Sequence, residues 1–290
     1  MTDHEQPIGG GRQPPEIEID ITTAHPARVH NFLAGGDANF AVDREAVEKA
    51  VDMSPGEMEV ARRAVQAMAG FQARVVRHLV ADVGVTQFLK LSAAVPAGED
   101  IHEVAQATAP GTRVVYMGDD PTVLAHAHAL RRARPEGITA YVHGTLLDID
   151  PIIAQASATL DFDRPVAIVS PANMAFVAEE DDPYGIVARI LAALVPGSYL
   201  ALAHSSPDVG SERMREEAER FARLLGDPYV VRTRDQIARF FAGLEMVDPG
   251  LVPIEQWRPT PGEELDPTHR PVPLYGALAR KPAPETEAER

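Results

Sequence analysis

Thr86-Gln-Phe-Leu-Lys-Leu-Ser-Ala-Ala-Val-Pro96 reads as the first strand of a parallel α/β sheet running into a ligand loop. Its apolar run is short and ends in small residues, as a buried strand does when it turns over the sheet's edge. Two features set it apart. There is no glycine from Thr86 to Ala97, and Lys90 stands at the strand end, where nucleotide-type sites usually carry an acid. Downstream, short apolar runs alternate with amphipathic helices, the pattern of a βαβ series and a parallel sheet. Strands are expected at 86–91, 112–117, 139–142, 165–170 and 198–203, with helices near 100–108, 121–133, 147–157 and 184–194. Pro121 after Asp119-Asp120 and Pro183 after Asp181-Asp182 mark helix starts. Further helices at 209–225 and 233–242 precede two late apolar runs, Leu244–Val247 and Leu274–Ala279, which pattern as an antiparallel pair at one sheet edge.

Upstream lies a helical cap over 19–82, flanked by polar tails at 1–18 and 282–290 that read as disordered. His25-Pro-Ala-Arg-Val-His-Asn-Phe-Leu33 predicts a short helix stopped at Gly35-Gly36, and a second helix starts near Asp43. Ser54-Pro55 opens a long third helix to about Ala81. It carries Met58, Ala61, Val65, Met68, Phe71, Val75 and Leu79 on one stripe. The α/β domain then spans 83–281, with Trp257 in an irregular connection. The 290 residues carry a net charge of −16, which argues against a nucleic-acid partner and against an anionic membrane surface. The chain has no cysteine, so disulfides, thiolate nucleophiles and Cys-based metal sites are excluded. With no long apolar run and a polar N-terminus, a cytoplasmic protein is expected. Nothing in the pattern sets an oligomeric state.

In open parallel sheets ligands sit beyond the carboxyl ends of the strands, at the switch point in strand order. The loops to search are therefore Lys90–Ala94, Gly118–Asp120, His143–Thr145, Ser170–Ala175 and Ala203–Ser205. His204, at the end of the fifth strand, is a candidate base or substrate hydrogen-bonder, and His143 a candidate pocket residue. His126 and His128 fall short of metal-ligand spacing and read as helix surface. Glu179-Glu-Asp-Asp182 reads as a solvated cap of the next helix, favourable at its positive end, so no metal is expected.

Five segments, His25–Arg44, His102-Glu-Val-Ala-Gln106, Arg113–His126, Asp163–Gly185 and Arg234–Pro259, resemble a bacterial family of S-adenosylmethionine (SAM)-dependent methyltransferases. Asn31-Phe-Leu-Ala-Gly-Gly with Asn39-Phe40, and Asp181-Asp-Pro-Tyr-Gly-Ile-Val-Ala-Arg189, carry the resemblance most specifically. It implies a seven-stranded, mostly parallel Rossmann-like methyltransferase sheet with helices on both faces and an N-terminal helical cap. The last strand would be antiparallel and inserted near the edge. It also implies SAM contacts, and those are where this chain departs.

The family's Asp-Ile-Gly-Thr-Gly-Leu-Pro is here Lys90-Leu-Ser-Ala-Ala-Val-Pro96, placing Ser92 and Ala94 where glycines let the backbone approach a cofactor. The acid that would take the ribose hydroxyls is Gly118, with Asp119 one residue on. The acid expected near the adenine amine is Thr145. The family's His near the fourth strand is Ala175, while Pro171 and Asn173 replace apolar residues and Met174 lies between. In the cap, Asp37-Ala38 replaces a Lys-Asp pair and His30 a Tyr; Asp37, Asn39 and Phe40 then join His143 and Met174 as expected pocket residues. Each charge-assisted hydrogen bond is worth about 1.5–3 kcal/mol, so losing two acids weakens binding by a factor of hundreds.

Weak or absent SAM binding is therefore expected, with no other cofactor and a small molecule as partner. The first reading is a repurposed enzyme using His30, Asn173 and His204 for a cofactor-independent cyclisation, elimination or isomerisation of a biosynthetic intermediate. The alternatives are a working SAM-dependent methyltransferase with an unusual site, and a non-catalytic binding or regulatory relative.

Overall fold

β-branched and aliphatic residues on both faces of short strands, separated by helices with one apolar stripe, can only be buried by a sheet sandwiched between helical layers. A computed structural model describing residues 19–50, 55–95, 98–123, 138–210, 213–260 and 271–284 has that architecture. Both tails except 282–284, Ser54, Pro96 and residues 124–133 of the expected fifth helix, with His126 and His128, lie outside the described residues.

The cap comprises α1 (Pro26–Leu33), α2 (Ala41–Ala50) and α3 (Pro55–His78), the last running into a π turn, Leu79–Val83, that ends at left-handed Gly84. The sheet strands are β1 (Gln87–Lys90), β2 (Arg113–Gly118), β3 (Ile138–His143), β4 (Ala167–Pro171) and β5 (Tyr199–Ser205). Late strands β6 (Glu245–Met246), β7 (Val252–Pro253) and β8 (Leu274–Arg280) complete it. Helices α4 (Ile101–Thr108), α5 (Ile149–Ala156), α6 (Pro183–Ala192), α7 (Met214–Leu225) and α8 (Arg234–Ala238) lie between them. The order is β3-β2-β1-β4-β5-β8-β6, with β1 to β5 parallel and β8 antiparallel between β5 and β6. An eighth strand departs from the seven expected. β7 pairs with β8 off the main path, and two residues ending in a proline are too short to show as an apolar run.

Strand alternation sorts the core into two layers. Phe88, Val114, Tyr116, Val169, Ala201 and Ala203 pack with Met68, Phe71 and Val75 of α3, Leu79 of the π turn and Val104 of α4. Leu89, Val115, Ile168, Leu200 and Leu202 face the layer of Ile149 and Ile152 (α5), Ile186 and Ile190 (α6) and Ile237 (α8). From Met68 on the stripe thus serves the sheet, while Met58 packs with the smaller cluster under α1, α2 and α7 and Ala61 and Val65 line a hollow between them. Trp257, read as part of an irregular connection, is fully buried edge-on against Phe71, their centroids 5.6 Å apart. Arg74 of α3 donates to the Trp257 and Ile254 carbonyls, both at 2.8 Å. The direction of strand addition reverses between β1 and β4, so the crevice opens over their carboxyl ends.

Candidate functional site

The cap is tied to the strand ends by two polar knots. In the first, Asn31 of α1 donates to the Val95 carbonyl of the loop after β1 at 2.9 Å, and Asn39 donates to the Asn31 side chain at 3.0 Å. A Cβ on Gly36 would fall 2.3 Å from the Asn31 amide, so only glycine leaves room for this contact. In the second, Arg28 reaches Asp43 at 3.3 Å and Asp120 at 3.7 Å, and the His25 backbone donates to Asp43 at 2.9 Å. His25 Nε2 lies 3.4 Å from Asp119, whose carboxyl it holds below the ordinary range by hydrogen bonding. Asp120 also caps the helix that begins at Pro121, accepting from Thr122 N at 2.7 Å. This His25–Arg28–Asp43–Asp120 set was not singled out in the sequence. Its signal is acid after β2 facing base at the start of α1.

Between cap and strand ends lies a chamber of about 430 Å³. His25, His30, Lys90, Ser92, Ala94, Gly118, Asp119, Thr145 and Asn173 are among its lining. At its floor Lys90 Nζ is 2.8 Å from Asp100 and 5.4 Å from the Tyr116 ring centroid. Asp100 at the same time caps α4, accepting from Ile101 N at 2.7 Å. Burial pushes its carboxyl up, but the charge and hydrogen bond of Lys90 outweigh this and leave it below the ordinary range. Burial raises the Tyr116 hydroxyl well above its usual value. Beside Lys90 the loop closes over the sheet: a Cβ on Gly118 would lie 2.9 Å from the Ala93 Cβ.

The three candidate catalytic residues part company. His30 lines the chamber with its Nδ1 shut off from solvent and without a hydrogen-bond partner. Burial, reinforced by Lys90, lowers its pKa to about 4, so the imidazole is neutral at neutral pH. Asn173 also lines the chamber, but its amide is committed: Nδ2 donates to the Leu91 carbonyl, and Oδ1 accepts from Ser170 at 2.6 Å. It fastens the end of β4 to the end of β1. His204 is fully buried and faces the opposite layer. Its Nε2 accepts from Arg232 at 2.9 Å and its Nδ1 donates to the Ser205 carbonyl at 2.9 Å. Burial lowers its pKa to about 4. Arg232, itself fully buried, pairs with Glu179 at 2.8 Å and donates to the Met174 and Val177 carbonyls.

Of the expected pocket residues, Asp37 and His143 are exposed, and Asn39 and Phe40 build the cap's joint, Phe40 lying under Arg28 at 5.3 Å. Met174 is fully buried in the opposite layer. Residues not singled out in the sequence complete the site. Tyr229, Phe176 and Phe221 form an aromatic cluster at one wall, with Tyr229 edge-on to both at 5.2 and 5.1 Å. Asp182 is a helix cap as expected, accepting from Gly185 N at 2.9 Å. Among the described residues no group of three or more His, Asp or Glu could hold a metal, and no helix is long and apolar enough to cross a membrane.

Comparison with known proteins places these features in a lineage. Residues 12–282 match the family model for S-adenosyl methyltransferases. A DUF574 family protein from Streptomyces avermitilis MA-4680 is 35% identical over 91% of this chain and 100% of its own, with a TM-score of 0.84. A candidate methyltransferase from Thermobifida fusca YX is 32% identical over 91% of this chain and 97% of its own, with a TM-score of 0.79. The plantazolicin methyltransferase BamL, solved with a triazolic desmethylPZN analogue and SAH, is 11% identical over 82% of this chain and 97% of its own. Its TM-score of 0.50 speaks for the fold alone. No curated protein matches the chain.

Proposed function

The chain belongs to the S-adenosyl methyltransferase family, and from that premise we propose that it binds and transforms a small organic molecule in the strand-end chamber without SAM. The observation that carries this reading is the contact between Ala93 and Gly118. A carboxylate for the ribose diol belongs at the end of the second strand. Position 118 carries no side chain, and as the loop sits here one would start 2.9 Å from the Ala93 methyl. Since the family motif has a Thr at 93 beside its acid, the close approach goes with the glycines replaced at Ser92 and Ala94 rather than with the methyl itself. At the end of β1 the ligand would meet Lys90, a cation like SAM's own sulfonium, with Asp100 already paired to it. Thr145 supplies no charge at the third strand. These residues do not fit SAM.

What the chamber does offer is a neutral imidazole at His30, its buried Nδ1 without a partner, beside a paired cation. Such a group takes or gives a proton at a bound carbon or hydroxyl, the requirement of a cyclisation, elimination or isomerisation. One observation favours methyl transfer as a second reading: Asp119 lines the chamber one position beyond Gly118, and its side chain is 47% exposed. A carboxylate there would accept the ribose hydroxyls. Thermal unfolding with SAM or SAH at 1 mM separates the two. A ligand present at a hundred times its Kd stabilises the folded state by about 2.7 kcal/mol, or about 5–10 °C for a chain of this size. We expect a shift below about 1 °C; a shift of several degrees restores the methyltransferase reading.

A further inference from the structure

A second hollow of about 220 Å³ adjoins the chamber and shares Leu33, Met68, Ala172, Phe221 and Tyr229 with it. It lies between α2, α3 and α7 and the ends of β4 and β5. Its polar lining is limited to Glu57, Glu217 and the hydroxyl-bearing Ser205 and Tyr229. Those hydroxyls are 2.8 Å apart and bonded to each other. Two hydroxyls hold two hydrogens, and one mutual bond uses only one of them. Whichever oxygen donates, the second hydrogen has no acceptor among the described residues. Burial raises the Tyr229 hydroxyl above its ordinary value, so it stays protonated at neutral pH. Ser205 is itself 3% exposed. An O–H that lines an apolar hollow with no protein acceptor of its own is placed to donate to a ligand there.

We propose that this hollow is the substrate's seat, and that the substrate has an apolar body of about two fused rings carrying a neutral carbonyl-type acceptor. This rests on the reading of the chamber as a small-molecule site and adds the ligand's class. The size follows from comparison: an apolar cavity of about 150 Å³ takes benzene, and this one is half as large again. The rings lie on the Phe221–Tyr229 wall, where edge-to-face contact is available. The acceptor meets the Ser205–Tyr229 pair, at the junction with the chamber that holds His30.

The test uses 2-acetylnaphthalene and 2-ethylnaphthalene, alike in size and different in the acceptor, titrated calorimetrically into the full-length wild type and the variants S205A, Y229F and S205A/Y229F. Either single variant keeps one hydroxyl free to donate. The acetyl-to-ethyl affinity ratio is therefore expected to hold within about twofold in each single variant and to drop roughly three- to tenfold in the double variant. An unchanged ratio in a folded double variant, or a ratio lost already in Y229F, overturns the acceptor assignment. The wild type alone also decides. Ethyl binding more than tenfold tighter than acetyl means no hydrogen bond forms, while the hollow is still a ligand seat. If neither compound binds, the hollow is not a ligand seat and the proposal falls, whereas the SAM thermal-shift test of the chamber is unaffected.

Discussion

Gly118→Ala examines the closed loop directly. The added Cβ would lie 2.9 Å from the Ala93 Cβ, while the Ala93 backbone nitrogen and Cα stay at 3.6 and 3.7 Å. Carbon atoms pack best at about 3.5–4.0 Å, so the methyl of Ala93 alone is offended, and by roughly 0.6–1 Å. Overpacking of this kind costs about 1–3 kcal/mol. Replacing glycine lowers the entropy of the unfolded chain and returns about 0.4–1 kcal/mol, leaving a net loss of about 1–2 kcal/mol. Ala93→Gly removes the obstructing methyl, which is buried, and loses about 0.8 kcal/mol of burial plus 0.5–1 kcal/mol of backbone entropy. In that background Gly118→Ala becomes neutral or stabilising, a coupling of about 1–3 kcal/mol. Urea unfolding followed through the single, buried Trp257 and through circular dichroism measures all four corners of the cycle. A Gly118→Ala variant within 0.5 kcal/mol of wild type, with an additive cycle, would refute the claim that the loop occupies the acid's place.

Three further outcomes follow from the same geometry. Lys90→Met leaves Asp100 buried without its cation, and urea unfolding at pH 7 should show a loss of about 3–5 kcal/mol. Because the folded Asp100 carboxyl is depressed, the wild type keeps this contribution above the unfolded carboxylate range and loses it as pH falls below about 4. The variant's stability should instead rise on acidification. His204 titrates near 6.5 when unfolded and near 4 when folded, so the unfolded chain takes up the proton first and stability falls as pH drops from about 6.5 to 4. The His204 share of the loss is about 3 kcal/mol. His30, lowered to the same value, adds a like share, so His204→Gln, which keeps an acceptor for Arg232, should about halve the slope and His30→Gln with it should flatten that part of the profile. Asn31→Ala unties α1 from the loop after β1 and leaves the Val95 carbonyl without its donor. It should cost about 1–3 kcal/mol and speed proteolytic cleavage in 19–50, whereas Asp37→Ala, at an exposed position, should change neither.

The parallel sheet and the antiparallel pairing of the two late runs were legible because periodicity reports burial directly, whereas the insertion of the last strand beside β5 came from the family resemblance. Parity at the strand ends was not. His204 and Ser205 are neighbours, and only the register shows that 204 follows Leu200 and Leu202 to the far layer while 205 follows Ala201 and Ala203 towards the cap. The base sought in the chamber is thus behind its wall, and Ser205 lines the hollow that adjoins it. Asp119 reverses the lesson. It stands one residue past the position the resemblance gives the acid; β2 ends at Gly118, so strand alternation no longer governs it, and it lines the chamber. Asn173 was singled out as a candidate catalytic group, but its amide is held by scaffold groups 3 and 82 residues away. A pairing across that separation leaves no trace in local pattern. Tyr229 and its bond to the Ser205 hydroxyl, 24 residues away, depend on the same long-range closure.

The central claim is that a methyltransferase chamber has lost its fit for SAM. Isothermal titration of SAM and of S-adenosylhomocysteine into the full chain tests it most directly. The closed Ala93–Gly118 contact and the Lys90–Asp100 pair predict no saturable heat up to millimolar ligand, and a micromolar Kd for either compound would contradict the account.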